Sequence, residues 1–290
     1  MTKILITGCN GQLGNEIRDK SDKTPFSFTF TDVAELDITD INAIDSLFAT
    51  APFDYVINCA AYTNVNKAES EEDIAYKINA VAPDNLAKIC AKYNSTFIHV
   101  STDYVFNGNA CQPYSESDPV CPQSAYGRTK LEGENLALKA CQNTIILRTA
   151  WLYSEYGNNF VKTMMRLGTE KDELSVVFDQ VGTPTYAGDL AQAILSIIEK
   201  IESGDKKVIP GIYHFSNEGV CSWYDFTKEI HSLANINCNV KPIESKDFPS
   251  PAKRPFYSVL NKQKIKDIYS IDVPYWKDSL ALCIKNLQEK

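Results

Sequence analysis

The chain has 290 residues, of which 44% are hydrophobic and 23% are charged, and its formal net charge at pH 7 is −8. This composition is that of a globular protein, long enough for one large α/β domain or for one domain with a smaller lobe. It argues against a nucleic-acid or anionic membrane surface as partner, since both require clustered Lys and Arg.

The beginning of the chain and its cysteines bear on the compartment. Met1 to Gly8 enter a strand pattern at once, which leaves no room for a signal peptide, and no apolar run reaches the ~18 residues of a transmembrane helix. The nine cysteines contain no CxxC pair and indicate free thiols, and no His/Cys grouping has zinc-ligand spacing. We therefore expect a cytoplasmic protein without a bound transition metal.

The first half alternates β-branched runs with amphipathic stretches, which predicts a doubly wound parallel sheet built from βαβ units. The predicted strands are Lys3 to Thr7, Phe26 to Thr31, Asp54 to Asn58, Thr96 to Ser101 and Thr144 to Leu147. The predicted helices are Gln12 to Lys20, Ile41 to Ala49, Ala75 to Tyr93 and Ser124 to Cys141.

Beyond Trp151 the pattern loosens and predicts a smaller C-terminal lobe that binds substrate. The predicted elements are a helix from Asn159 to Leu167, a loop from Asp179 to Tyr186, a helix from Gly188 to Ile201, a strand from Gly211 to Phe215 and a helix from Trp223 to Leu233. We assign residues 1–150 to the first domain, to which 188–201 and 211–215 return, and 151–290 mainly to the lobe. The cleft between the two is the expected site.

Three glycines lie at three-residue spacing between the first strand and the first helix. Glycine lets the backbone turn sharply and approach an anion, while the helix N-terminus supplies N–H groups and a positive dipole. Because this motif opens a βαβ unit, it predicts a Rossmann-type dinucleotide site. Its candidate residues are Gly8, Asn10, Gly11, Gln12, Leu13 and Gly14.

Acidic residues after the second strand bear on the choice of cofactor. Asp32 lies where an acid contacts the adenosine ribose, or else it is a solvated loop carboxylate, and Asp37 and Ile38 lie where an adenine contact is expected. An acid there repels a 2′-phosphate, and no Lys or Arg occurs between Lys23 and Lys67. Charge alone favours NADH, and NADPH stays open.

Tyr126 and Lys130 open the helix after the fourth strand, where a separation of four places phenol and amine on one helical face. A neighbouring Lys cation stabilises a phenolate and makes Tyr an effective acid near neutral pH. Thr102 ends the fourth strand and is placed to hold a carbonyl oxygen beside Tyr126. The simpler interpretations are a surface Tyr/Lys pair and a strand-end turn hydroxyl.

The three glycines with Thr102, Tyr126 and Lys130 resemble the extended short-chain dehydrogenase/reductase family. Five segments resemble the dTDP-4-dehydrorhamnose reductases within it: Cys59 to Thr63, Lys67 to Glu69, Ser101 to Phe106, Tyr126 to Leu131 and Leu147 to Trp151. The resemblance implies that NADH or NADPH reduces the C4 ketone of dTDP-4-dehydro-β-L-rhamnose, with Tyr126 as the proton donor.

The same resemblance implies further contacts. Those along the cofactor would be Ala60, Ala61, Tyr62, Asn79, Tyr126 and Lys130, with Lys130 on the nicotinamide ribose. Those on the substrate would be Thr102, Asp103, Tyr104, Trp151 and Arg254. Trp151 would pack against the deoxy sugar or else belong to the core, and the Arg254 guanidinium would pair with the diphosphate.

The resemblance also bears on a metal site and on a homodimer. Some members of the family bind Mg²⁺ through glutamates at a homodimer interface, and Glu16 matches one of those positions. The stretch Val273 to Lys290 does not clearly reproduce another. Mg²⁺ dependence and the homodimer therefore both stay open.

Three other functions compete. A sugar-nucleotide dehydratase carries an Asp-Glu pair after the Thr, and Asp103-Tyr104 here lacks the carboxylate expected to act as base in the elimination. A non-catalytic NADP-binding subunit, resembling the β subunit of methionine adenosyltransferase, shares the glycine motif. Another sugar-nucleotide reductase or epimerase shares the catalytic residues as well. Cofactor oxidation with a 4-keto sugar nucleotide separates reduction from the non-catalytic subunit.

Overall fold

The computed structural model describes residues 1–289. Strands and helices alternate through its first half. The strands are β1 (Lys3–Thr7), β2 (Ser27–Thr31), β3 (Tyr55–Asn58), β4 (Thr96–Thr102) and β5 (Thr144–Thr149). The helices are α1 (Gln12–Ser21), α2 (Ile41–Thr50), α3 (Val65–Ala68), α4 (Glu72–Tyr76), α5 (Ala82–Tyr93) and α6 (Ala125–Ala140).

The second half has shorter strands. They are β6 (Leu152–Tyr153), β7 (Glu173–Val177), β8 (Val181–Gly182), β9 (Thr185–Tyr186), β10 (Gly211–His214), β11 (Cys221–Ser222) and β12 (Asn239–Ile243). The helices are α7 (Phe160–Glu170), α8 (Ala187–Glu202), α9 (Trp223–Leu233), α10 (Gln263–Tyr269) and α11 (Trp276–Glu289).

Six strands form one parallel sheet in the order β10-β5-β4-β3-β1-β2. Side chains alternate across it, as a strand period of two requires. Ile4 and Ile6 pack with residues of α1 and α8, whereas Leu5 packs with residues of α2 and α5. The predicted α/β fold, a doubly wound parallel sheet of the Rossmann type, is confirmed.

The long predicted helix from Ala75 to Tyr93 is interrupted. It begins earlier, as α4, and passes through a π-helical turn at Lys77–Val81 before α5. Pro83 has no N–H to donate to the carbonyl of Asn79 four residues earlier, so regular α geometry loses a bond here. A Cβ on Gly133 would lie 2.0 Å from the Asn79 carbonyl oxygen, so α6 packs directly on this turn.

The second half packs around its own aromatic core, which includes Tyr153, Phe226 and Trp276. Three two-stranded ladders frame it, β6 with β9, β7 with β12 and β8 with β11. The predicted loop 179–186 is therefore wrong in part, because it contains β8 and β9. The predicted strand near 211–215 forms β10 and pairs with β5, whereas the division into two domains near residue 150 stays a prediction.

None of the helices formed by residues 1–289 has the length and apolar character that crossing a membrane requires.

Candidate active site

A cleft of about 890 Å³ opens at the carboxyl ends of the sheet strands. Its lining contains most of the predicted site residues, gathered from β1 through β5 and from α6. The predicted residues that line it are Gly8, Asn10, Gly11, Gln12, Leu13, Asp32, Asp37, Ile38, Ala60, Ala61, Thr102, Asp103, Tyr104, Tyr126, Lys130 and Trp151. Gly14, Tyr62, Asn79 and Arg254 do not line it.

The glycine turn leaves β1 with Gly8 at φ +67°, a conformation that favours glycine. A Cβ there would lie 2.6 Å from the Ala60 backbone. Gly11 caps the N-terminus of α1 in an ordinary extended conformation and faces the cleft, where a Cβ would meet only the Gly8 carbonyl oxygen, at 3.2 Å. A backbone turn this open to the cleft fits a dinucleotide pyrophosphate.

Gly14, unlike Gly11, does not face the cleft. A Cβ on it would lie 2.5 Å from the Cys9 Cα, so the residue lets α1 approach the strand–helix turn closely. Gly14 thus has the packing role of the third glycine of such motifs, and its predicted contact with the cofactor stays a prediction.

The two acidic candidates are held by the backbone. The Asp32 carboxylate accepts N–H groups from Asn10 at 2.9 Å and from Val33 at 2.8 Å. Asp37 accepts the N–H and the hydroxyl of Thr39, and these bonds lower the pKa of its carboxyl. Asp32 is therefore fixed beside the glycine turn and is not a free loop carboxylate.

Asn79 is completely buried, and its side chain brackets the backbone of Tyr62. Its Oδ1 accepts the Tyr62 N–H at 2.8 Å, and its Nδ2 donates to the Tyr62 carbonyl and to the Thr129 hydroxyl. The Tyr62 hydroxyl bonds Glu71. Both residues thus shape the loop after β3 from behind, and their predicted contact with the cofactor stays a prediction.

Tyr126 lies in the first turn of α6, whose N-cap Ser124 accepts the Gly127 N–H at 3.1 Å. A Cβ on Gly127 would lie 2.3 Å from the Tyr104 carbonyl oxygen, so glycine lets α6 begin against the end of β4. Burial raises the pKa of Tyr126 to about 12, and a hydrogen bond with Thr102 opposes that rise. The phenol is therefore protonated at neutral pH.

Lys130 is 1% exposed, and its amine donates to the Val100 carbonyl at 2.7 Å and lies 3.2 Å from His99 Nε2. Burial lowers its pKa to about 8, with the Glu134 carboxylate opposing. The amine bonds the carbonyl and imidazole behind it, and the stabilisation of a Tyr126 phenolate by the Lys130 charge stays a prediction.

Asp103 is buried beside Thr102, whose hydroxyl donates to its Oδ1 at 2.9 Å. Its Oδ2 is buried with no hydrogen-bond partner among the described residues, and burial raises the pKa of the carboxyl to about 7. The Tyr104 ring packs edge-on against Tyr126 with centroids 5.5 Å apart. Arg254 acts electrostatically on Tyr104, and its buried Nε has no partner among residues 1–289.

Trp151 follows β5 with φ +50°, a left-handed conformation that costs a bulky residue about 1–3 kcal/mol. Its ring stacks on Trp223 with centroids 3.5 Å apart and planes 9° apart, and Phe160 packs against Trp223 from 4.5 Å. Local sequence patterns do not reveal this role of Trp223, because the stack joins segments that are far apart along the chain.

Glu16 lies outside this cleft, in a cavity of about 430 Å³ that Glu155 also lines. Its carboxyl accepts the Ser154 hydroxyl at 2.9 Å, and burial with the bonded Glu155 carboxylate raises its pKa to about 8. Tyr186 and Asn286 donate to Glu155. No group of three or more His, Cys, Asp or Glu within residues 1–289 is arranged to hold a metal ion.

Comparison with known proteins agrees with this geometry. A family profile described as the RmlD substrate binding domain matches residues 1–289. A dTDP-4-dehydrorhamnose reductase of Aggregatibacter actinomycetemcomitans is 42% identical over 288 residues, covering 97% of each chain.

The chain is also similar to solved structures of dTDP-4-dehydrorhamnose reductases. A dTDP-4-dehydrorhamnose reductase of Clostridium acetobutylicum is 47% identical with a TM-score of 0.93, covering 99% of this chain and 100% of that one. The enzyme of that name from Bacillus anthracis, in complex with NADP, is 38% identical with a TM-score of 0.93 and the same coverage. The chain therefore belongs to the dTDP-4-dehydrorhamnose reductase family, the NAD(P)H-dependent oxidoreductases that share the RmlD substrate binding domain.

Proposed function

We propose that the chain reduces the C4 ketone of dTDP-4-dehydro-β-L-rhamnose to dTDP-L-rhamnose with NADH or NADPH. The observation that carries the proposal is the convergence of Thr102, Tyr126 and Lys130 on a cleft whose other end is the glycine turn. The names of the full-length relatives supply the substrate.

Tyr126 is the proposed proton donor, and its protonated phenol is the form that this role requires. On substrate binding, the Thr102 hydroxyl would turn its one hydrogen from Asp103 Oδ1 to the ketone oxygen and stabilise the negative charge that develops during reduction. The nicotinamide, when bound, supplies the hydride. Lys130 has an amine N–H left for the ribose after its bond to Val100.

We propose that Trp151 forms the apolar surface for the deoxy sugar and that Arg254 pairs with the diphosphate. The first assignment is supported by the place of Trp151 in the lining of the cleft, and the second by the Arg254 Nε, which has no hydrogen-bond partner among the described residues. Asp103 and Tyr104 are the other two residues that we propose to contact the sugar. On this basis residues 1–150, with 188–201 and 211–215, hold the cofactor, and the rest mainly holds the substrate.

Either nicotinamide cofactor fits the proposal. Asp32 favours NADH by repelling a 2′-phosphate, whereas the relative from Bacillus anthracis was solved with NADP. The nine free cysteines suit the reducing cytoplasm, where we propose that the reaction takes place.

The test is incubation with dTDP-4-dehydro-β-L-rhamnose and each cofactor, followed by absorbance and by NMR of the product. Cofactor oxidation with formation of dTDP-L-rhamnose is the expected result. Cofactor binding without turnover would instead indicate the non-catalytic subunit, and inverted configuration without net cofactor oxidation would indicate an epimerase.

A further inference from the structure

One hydroxyl hydrogen at the end of β4 has two possible acceptors. The Thr102 hydroxyl donates to Asp103 Oδ1 at 2.9 Å, and the proposed reaction needs the same hydrogen on the ketone oxygen. The second carboxyl oxygen of Asp103 is buried without a hydrogen-bond partner among the described residues. A turn of the Thr102 hydroxyl toward the substrate would therefore remove a hydrogen bond from a carboxyl group that already has few donors.

An ionised Asp103 would make this turn costly. The residue is 3% exposed, and a buried carboxylate that loses a hydrogen-bond donor is strongly destabilised. A neutral carboxylic acid in the same place carries no charge to stabilise and has an O–H of its own to donate. The protonation state of Asp103 therefore bears directly on where the Thr102 hydrogen can point.

Protonation of Asp103 reverses the direction of its hydrogen bond with Thr102. One lone pair of Thr102 Oγ1 accepts the backbone N–H of Tyr104 at 3.2 Å, and the other can accept the acid O–H. The Thr102 hydrogen then turns away from Asp103 to the side on which the hydroxyl meets Tyr126. This is the side on which the ketone oxygen is proposed to bind.

Burial is the largest influence on the ionisation of Asp103. It raises the pKa of the carboxyl to about 7, although hydrogen bonds from the Thr102 and Ser258 hydroxyls favour the carboxylate. Two phenols face the same carboxyl, Tyr104 in the turn 103–105 and Tyr126 on α6. The charge of Asp103 raises the pKa of each of them.

Two cations belong to the surroundings of the carboxyl. Lys130 on α6 lines the cleft with Asp103, and its amine donates to the Val100 carbonyl. Arg254 lies close enough to act on Tyr104. Neither is ion-paired with Asp103, which takes part in none of the salt bridges within residues 1–289. The acid and its carboxylate are therefore both populated near neutral pH.

We propose that Asp103 is a positioning residue that works as a neutral carboxylic acid during reduction, when its O–H binds Thr102 Oγ1 and directs the Thr102 hydrogen to the ketone oxygen. The inference rests on the proposed function, because it takes Thr102 to bind the ketone. No proton leaves Asp103 in the reaction, and Tyr126 remains the donor of the proton that the product gains. Reduction should slow as pH rises and Asp103 ionises.

The first test follows the aspartate carboxyls of cofactor-free protein by ¹³C NMR as a function of pH. The signal that is absent from Asp103→Asn belongs to Asp103. We expect it to titrate near pH 7, well above the ordinary value of ~3.9. A midpoint below about pH 5 would overturn the proposal, because the acid would then be scarce at neutral pH.

The second test compares kcat/KM for reduction by wild type and by Asp103→Asn. The amide NH₂ can donate to Thr102 at every pH, as only the neutral acid does in wild type. We expect the ratio of variant to wild-type kcat/KM to rise by about tenfold for each pH unit above about 7. The ratio removes any effect of Lys130, whose pKa of about 8 both proteins share. A ratio independent of pH, or a variant inactive at every pH, would contradict the proposal.

Ser258→Ala tests the same point if Asp103→Asn does not fold. The Ser258 hydroxyl favours the carboxylate, so its removal should move the fall in kcat/KM to higher pH. Ser101→Ala is the matched control, because its buried hydroxyl has no hydrogen-bond partner among the described residues, and its midpoint should equal that of wild type. An unmoved or lowered midpoint in Ser258→Ala would contradict the proposal.

These outcomes separate the role of Asp103 from the proposed function. A wild type that reduces the sugar with no fall in kcat/KM near pH 7 would refute the role of Asp103 alone. A wild type that binds cofactor but does not reduce the sugar would refute the proposed function.

Discussion

The two walls of the cleft are built in different ways. The N-terminal wall, residues 8–130 of the lining, consists of backbone turns and side chains that leave successive parallel strands and α6. The C-terminal wall, residues 149–159 of the lining, depends on Trp151, whose left-handed backbone is backed by the distant Trp223. Local turns thus fix the first wall, and a long-range aromatic stack fixes the second.

If the chemistry belongs to the N-terminal wall, Tyr126→Phe should cause the largest loss. We expect the reductase rate to fall by about 10²–10⁴-fold because only the proton donor is removed, with cofactor affinity retained. Steady-state kinetics and a cofactor titration would measure both. Tyr153→Phe is the matched control, since the buried Tyr153 hydroxyl has no partner among the described residues. If the reductase rate of Tyr126→Phe is within about threefold of the wild-type rate, Tyr126 is not the proton donor.

Two glycines of the same turn should separate binding from packing. Gly11→Val places a side chain in the space proposed for the pyrophosphate, so we expect cofactor affinity to fall by about tenfold or more while the folded protein persists. In Gly14→Ala the new Cβ collides with the Cys9 backbone, so the main loss should be in the free energy of unfolding. Fluorescence titration and denaturant unfolding would compare the two, and equal loss of affinity in both variants would argue against this separation.

The C-terminal wall is tested by Trp223→Leu, which removes the ring behind Trp151. An aromatic pair contributes about 0.5–1.5 kcal/mol, so the KM for the sugar nucleotide should rise by roughly threefold to tenfold. Affinity for the cofactor, measured in the absence of sugar, should not change. A loss of cofactor affinity as large as the change in KM would mean that the two walls are not separable.

The smallest expected effect lies outside both walls, in the separate cavity where Glu16 and Glu155 share a buried hydrogen bond. The folded-state pKa of Glu16, raised to about 8, exceeds its unfolded value, so its contribution to stability is present at acidic pH and is lost as pH rises through about 8. The melting temperature of wild type should therefore fall between about pH 5 and about pH 8 by a few degrees more than that of Glu16→Gln, and the difference should not grow above about pH 8. Parallel pH dependences would show that Glu16 is ionised throughout this range.

Sequence reasoning located the N-terminal wall well, because glycine spacing, strand ends and the Tyr126–Lys130 separation are local patterns. It placed Asn79 and Tyr62 on the cofactor, which stays a prediction, but it did not show that their bonds to each other hold the loop after β3. It missed the stack of Trp223 on Trp151 and the contact of His99 with the Lys130 amine, because each joins segments that are distant along the chain. A histidine inside the otherwise apolar run of β4 was the one available signal for the latter.

In the proposed reaction, the cofactor bound at the glycine turn delivers hydride to C4 of the sugar while Tyr126 donates the proton. Its most direct measurement supplies nicotinamide cofactor deuterated at C4 together with dTDP-4-dehydro-β-L-rhamnose and follows the product by NMR. We expect deuterium at C4 of dTDP-L-rhamnose with wild type and a product level lower by about 10²-fold or more with Tyr126→Phe. Product without deuterium at C4, or equal product from both proteins, would contradict it.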